Sequence, residues 1–219
     1  MVCARTGAVA RQAPRARPES AGLSAARLRD ATDLLNRYVS EHRIAGAVAA
    51  VARRGQVAYL EAVGVQDLET RAPMTEQSLF RIYSMTKSVT AVAVMMLHEE
   101  RRFALDDAVA TFIPEFKNVM VSAEPGAAPH PPARPITVRD LLLHTSGLNH
   151  RTSEIYRREQ VRSRTMTMTQ FIANLVRVPL MEDPGTRYRY SESSTVLGRL
   201  VDARHRLQRD HRVAVDGSG

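Results

Sequence analysis

Residues 79–100, LFRIYSMTKSVTAVAVMMLHEE, constrain this chain more than any other stretch. An apolar run, Leu79 to Tyr83, leads into Ser84-Met85-Thr86-Lys87, and Ser88 to Glu100 is then dominated by Val, Ala, Met and Leu. The pattern predicts a segment ending in a turn, followed by a largely buried helix that starts near Ser84. On a helix Ser84 and Lys87, three apart, share a face. A helix N-terminus favours developing negative charge, through unpaired backbone N–H groups and the helix dipole. A Ser hydroxyl is a weak nucleophile until a neighbour takes its proton, and a desolvated Lys can do so. The bland reading stands beside this one: Ser84 as a plain N-cap and Lys87 as a solvated first-turn residue. The lysine itself is informative. Of 31 basic residues only Lys87 and Lys117 are lysines, and Arg, unlike Lys, cannot give up its proton in a protein.

A chain of 219 residues holds one domain with a real core, or two small ones. No run of 18 or more apolar residues is present, so no membrane span is expected. Cys3 is the only cysteine, which excludes an internal disulfide and a cysteine metal cluster. The net charge of +8 gathers at the ends: Arg5, Arg11, Arg15 and Arg17 without an acid, and Arg204, Arg206, Arg209 and Arg212 against Asp210 and Asp216. The body is close to balanced and carries no nucleic-acid recognition motif, so solvated tails are expected and nucleic acid is not a predicted partner. The N-terminus lacks the apolar core of a secretory signal, and Pro14 and Pro18 mark residues 1–20 as a disordered Arg-rich leader. Cytoplasm follows as a default.

Along the chain, Ser24 caps a predicted helix over about 25–42. Two β-prone runs, 46–53 and 56–64, flank Arg53-Arg54-Gly55-Gln56 as a hairpin. A polar loop follows over 66–78. Leu105-Asp106-Asp107 begins a short predicted helix ending before Pro114. Five of the 11 prolines fall within 121–135, a long loop. Thr137 caps a helix over Val138 to Leu143, stopped by His144-Thr145-Ser146-Gly147. A polar stretch, 150–166, precedes a helix at 168–177. Pro184-Gly185 is a turn, Arg187 to Tyr190 is extended, and Ser193 or Ser194 caps a last helix through Val201. The fold class is α/β (α+β), with the hairpin in an antiparallel sheet.

Four blocks then coincide in order: FRIYSMTKSVTAVAVMMLHEE, LDDAVATFIPEF, ITVRDLLLHTSGL and EDPGTRYRYSESSTVLGRL. Over residues 21–201 the chain resembles the β-lactamase-related serine hydrolases: class C β-lactamases, D-alanyl-D-alanine carboxypeptidases and the esterases of the same fold. The esterase-like branch is the nearest likeness, and S-x-x-K is a signature of the superfamily. The resemblance implies a β-lactamase/transpeptidase-like fold. It implies Ser84 as nucleophile, Lys87 as base or proton relay, and Tyr190 of Tyr190-Ser191-Glu192 as second proton-transfer group. Its HTSGL block, His144 to Leu148, is mainly architectural. A Ser-His-Asp arrangement on Ser146 and His144 lacks the G-x-S-x-G elbow that would expose the serine. Glu192 stands where lactam-cleaving members have a substrate-binding Asn. A carboxylate there offers no N–H donor and repels a substrate carboxylate, which points away from a true β-lactamase and toward small carboxylic esters as the substrate, with β-lactam or D-Ala-D-Ala-type amides kept as the second substrate class. No cofactor or metal is implied.

The resemblance stops near Val201, leaving 202–219 as a polar, Arg-rich tail. The family continues with strands that complete the sheet, one carrying a Lys-Thr-Gly-like motif and a second oxyanion donor, and no such motif follows here. The expectation is a C-terminally truncated member with an incomplete sheet, arising from a frameshift, gene fragment or pseudogene-like product. Losing one oxyanion donor costs about 10²- to 10³-fold in rate, so a catalytically dead remnant or binding module is the alternative to an active hydrolase.

Overall fold

The computed structural model describes residues 13–122 and 128–203. Most of the predicted leader and of the Arg-rich tail therefore lies outside the described residues. The chain forms two compact units, Met1–Arg81 and Ile82–Gly219.

In the first unit, α1 (Ala25–Ser40) begins as expected, with the Ser24 hydroxyl accepting from the Arg27 N–H at 3.3 Å. β1 (Gly46–Arg53) and β2 (Gln56–Gly64) form an antiparallel hairpin with the predicted bounds. Arg54 and Gly55 both take positive φ, 51° and 74°, the mirror-image turn whose twist matches a two-residue hairpin. α1 lies on β2, where the Thr32 and Tyr59 hydroxyls meet at 2.8 Å. The leader boundary moves toward the N-terminus. The Pro14 carbonyl accepts from the Val57 N–H at 2.9 Å, the Ala16 N–H donates to the Val57 carbonyl at 3.0 Å, and Arg15 pairs with Glu76. These residues satisfy backbone groups on the outer edge of β2 that would otherwise stay unpaired, which orders a stretch whose composition reads as tail. Among the described residues the sheet has two strands.

The second unit holds the main core. α2 (Thr86–Glu99) follows a 3₁₀ turn at Tyr83–Met85. It supplies Val94, fully buried among Phe103, Ile113, Leu141, Leu148 and Ile172. The remainder of α2 departs from the expected burial: Val89 is 63%, Val92 60% and Met96 57% exposed. A helix apolar on all sides reads as buried, but burial needs a second surface, and no described residue covers this flank. The helix expected from Leu105 is replaced by two 3₁₀ turns, Val109–Thr111 and Pro114–Asn118. Pro114 opens the second of these instead of following a helix, since its fixed φ suits a first turn. The Val109 N–H donates to the Ile136 carbonyl and the Val138 N–H to the Asp107 carbonyl, tying this segment to α3.

α3 (Val138–Leu143) opens with a full capping box, in which Thr137 and Asp140 each bond the other's backbone N–H. It ends on His144 in the left-handed conformation. A short α4 (Glu154–Arg158) interrupts the stretch read as polar loop. α5 (Met168–Leu175) has its own capping box on Thr167 and Gln170 and buries Phe171, Ile172 and Leu175. A last helix, α6, spans 193–203 and packs Val196, Leu197 and Leu200 into the same core.

Candidate active site

The candidate site is built wholly within the second unit. Its first part is local. Tyr83 takes φ +42°, a costly conformation for a bulky residue. The chain thereby turns sharply before α2 and leaves Ser84 exposed. Lys87 lies in the first turn of α2 and donates from Nζ to Ser84 Oγ at 3.3 Å. The predicted helix start near Ser84 thus shifts to Thr86, with the Ser84–Lys87 pairing preserved because the 3₁₀ turn also sets i and i+3 on one side.

The second part arrives from 106 residues downstream. The Tyr190 hydroxyl donates to the same Ser84 oxygen at 2.8 Å. The Lys87 ammonium stands 4.8 Å from the centroid of the Tyr190 ring. Hydrogen bonding by Lys87, and secondly by Ser84, holds the Tyr190 phenol below its ordinary range. Ser84, Lys87 and Tyr190, named from the sequence, are therefore brought together around one oxygen.

Tyr190 is aimed by the end of α3. The His144 carbonyl accepts from the Arg189 N–H at 2.7 Å, and the Thr145 carbonyl accepts from the Gly185 N–H at 2.7 Å. Gly147, at φ +77°, lets the Met181 N–H reach its carbonyl at 2.8 Å; a Cβ here would sit 2.2 Å from the Glu182 carbonyl oxygen. Arg189 pairs with Glu182. The His144 ring stacks on Tyr190 at 5.1 Å, and His150 approaches it at 5.5 Å.

His144 is not set up as a base toward Ser84. Its Nδ1 accepts from the Ser191 N–H at 3.3 Å, which places its proton on Nε2. Burial, and secondly the Lys87 charge, lower its pKa. Ser191, Ser193 and Ser146 continue from it as a buried hydroxyl chain, with Ser191–Ser193 at 2.8 Å and Ser193–Ser146 at 2.9 Å. Ser146 is 1% exposed, closed to a substrate carbonyl.

Glu192 does not join the other three. Its carboxylate is buried, pairs with Arg162 at 2.9 Å and accepts from the Thr195 hydroxyl at 2.9 Å. A buried carboxylate requires such a partner. Sequence reasoning missed the ring stack of His144 and His150 on Tyr190. HTSGLNH places the two histidines six apart at a helix end, and nothing in that spacing points to a distant phenol. Among the described residues no group of three His, Cys, Asp or Glu side chains has the geometry to hold a metal ion.

The S-x-x-K pair and tyrosine on one oxygen agree with a match over residues 31–208 to the family described as Beta-lactamase. The chain belongs to the beta-lactamase family. Esterase EstB of Burkholderia gladioli is 34% identical over 194 residues, covering 84% of this chain and 47% of that protein. Protein Rv1367c of Mycobacterium tuberculosis is 37% identical over 164 residues, 72% of this chain and 41% of that one. The solved structure of EstCE1, a hydrolase with promiscuous acyltransferase activity, superposes with a TM-score of 0.72 at 30% identity, covering 81% of this chain and 47% of that chain. A class C beta-lactamase shares the fold, with a TM-score of 0.62 at 22% identity over 82% of this chain and 45% of that one. This beta-lactamase-family chain thus spans about half the length of the relatives it matches. No helix among its described residues is long and apolar enough to cross a membrane.

Proposed function

We propose that this chain carries the acylation centre of a serine hydrolase acting on small carboxylic esters. The observation that carries the reading is the sharing of Ser84 Oγ by Lys87 at 3.3 Å and Tyr190 at 2.8 Å. In the reactive state the phenol has lost its proton, a state the Lys87 ammonium stabilises, and the phenolate takes the Ser84 proton as Oγ attacks the ester carbonyl. The tetrahedral oxyanion collapses, the C–O bond to the alcohol breaks, and Tyr190 returns its proton to the leaving alkoxide. Water then attacks the Ser84 acyl ester, giving one proton to Tyr190; the second tetrahedral intermediate collapses, the carboxylic acid leaves, and Tyr190 passes that proton to the Ser84 oxygen, which regenerates the hydroxyl and the phenolate. The esterase and acyltransferase relatives support this reaction class.

Labelling with a fluorophosphonate tests the nucleophile. The parent is expected to label and S84A not to; equal labelling of S84A would remove the assignment.

A second reading is favoured by the exposure of Ser84 and of Tyr190, 39% open to solvent. Electrostatic stabilisation weakens where water screens it, so both half-reactions on an ester would be slowed, while a reactive fluorophosphonate would still label Ser84. Stoichiometric labelling without steady-state hydrolysis of p-nitrophenyl butyrate distinguishes this reading from the first.

A further inference from the structure

Between the segment carrying α4 and the start of α5 lies a cavity of about 610 Å³, within the size range of small-ligand sites. Arg151, Arg157, Arg162 and Arg164 stand around it, with Met166 and Phe171 among its apolar lining. No Asp or Glu lines it, and the carboxylates of the adjoining hollow, Glu192 and Glu159, are paired with Arg162 and Arg158. Arg162 is committed to Glu192 and lies 5.8 Å from the Phe171 ring centroid. Among the described residues, Arg151, Arg157 and Arg164 have no carboxylate partner. Three unpaired guanidiniums held around one concavity repel one another and concentrate positive potential there. Guanidinium planes match carboxylate and phosphate oxygens bidentately, and the thioethers and ring suit a hydrocarbon chain.

The cavity also connects to the chemistry. Arg151 follows His150, whose ring is 5.5 Å from that of Tyr190, and the Arg151 charge is among the influences that lower the phenol.

We infer that this cavity binds the anionic end of an amphiphile: a carboxylate or phosphate borne on an apolar chain. Resting on the acylation reading above, the preferred ester is one whose acyl chain ends in such an anion, with the chain over Phe171 and the anion among Arg151, Arg157 and Arg164. Nucleic acid, also anionic, fits less well, because the apolar lining offers nothing to a phosphate backbone.

Calorimetric titration of the full chain with octanoate, octyl phosphate, octanol and acetate tests the binding. Octanoate and octyl phosphate are expected to bind at least about tenfold more tightly than octanol or acetate, the span of one charged hydrogen bond. R157Q/R164Q is expected to lose about tenfold or more toward both anions, while R54Q at the hairpin turn binds as the parent does. Octanol or acetate binding as tightly as octanoate overturns the inference. So does an unchanged R157Q/R164Q, or a single-stranded oligonucleotide that outcompetes octanoate at physiological salt. If R157Q/R164Q fails to fold, the octanoate-to-octanol ratio of the parent decides. S84A separates the two readings: it should bind octanoate like the parent whether or not the parent labels with fluorophosphonate. Anion binding without labelling would thus remove the acylation centre and leave the cavity.

Discussion

Asp140 is where stability and the candidate site meet. Its side chain is 4% exposed and accepts five hydrogen bonds: two from Arg134 at 2.7 and 2.8 Å, and one each from the Thr137 N–H, the Thr137 hydroxyl and the Thr145 hydroxyl. Burial alone would raise the pKa of this carboxyl. The bonds from Arg134 and Thr137, then Thr145, overcome that and bring it from 3.8 to about 2. A folded value below the unfolded one stabilises the fold at pH above the unfolded pKa, and the stabilisation is lost as pH falls through the folded pKa. A depression of this size corresponds to roughly 2 kcal/mol at neutral pH. D140N keeps the shape and removes the charge, so it is expected to lower the unfolding free energy by about 2–3 kcal/mol at pH 7, including the weakened cap. Urea denaturation followed by circular dichroism, repeated from pH 7 to pH 2, measures it. The gap between parent and variant should hold down to about pH 5 and close toward pH 2. A gap that is constant with pH, or smaller than about 0.5 kcal/mol at pH 7, would refute the reasoning.

Four further outcomes are expected. Y190F removes the donor to Ser84 and should lower kcat for p-nitrophenyl butyrate by about 10²- to 10⁴-fold, the range of a lost general acid–base, with KM little changed. If phenolate is the active form, the alkaline-going rise of kcat/KM lies below the ordinary phenol range, and K87M moves it to higher pH; a K87M profile with the parent's midpoint contradicts the role of the cation. G147A adds a Cβ 2.2 Å from the Glu182 carbonyl at positive φ, and thermal unfolding should show a loss of at least about 1–3 kcal/mol. V89K/V92K replaces two exposed apolar residues of α2, and sedimentation should show less self-association with unchanged helix content.

What could be read ahead of the fold follows the range of the interactions. The hairpin bounds were legible because Arg54-Gly55 sits between two β-prone runs, and its pairing is decided within a few residues. The cap on Thr137 was legible for the same reason. The α-helix expected at Leu105 was not realised: that segment gives its backbone N–H groups and carbonyls to residues around Ile136 and α3, a competition no local window contains. The pairing of Glu192 with Arg162 was not legible, because the partner lies 30 residues away. The three arginines of the cavity pass as a solvated polar stretch until α4 and α5 fold them around Met166 and Phe171.

By itself the sequence named the three side chains that the candidate site brings together. It placed a serine and one of only two lysines a turn apart at a helix start, and it carried the blocks that mark the family. That pairing is set by backbone geometry over three residues and needs nothing else. Only the tertiary structure decided that Tyr190 reaches Ser84 Oγ, because the end of α3, Gly147 and the Arg189–Glu182 pair together aim a phenol across 106 residues of chain. The tertiary structure also decided that Glu192 turns into the protein and that Arg151, Arg157 and Arg164, without a carboxylate partner among the described residues, gather around one cavity. Contacts between distant segments depend on the packing of the whole core, which no local pattern encodes.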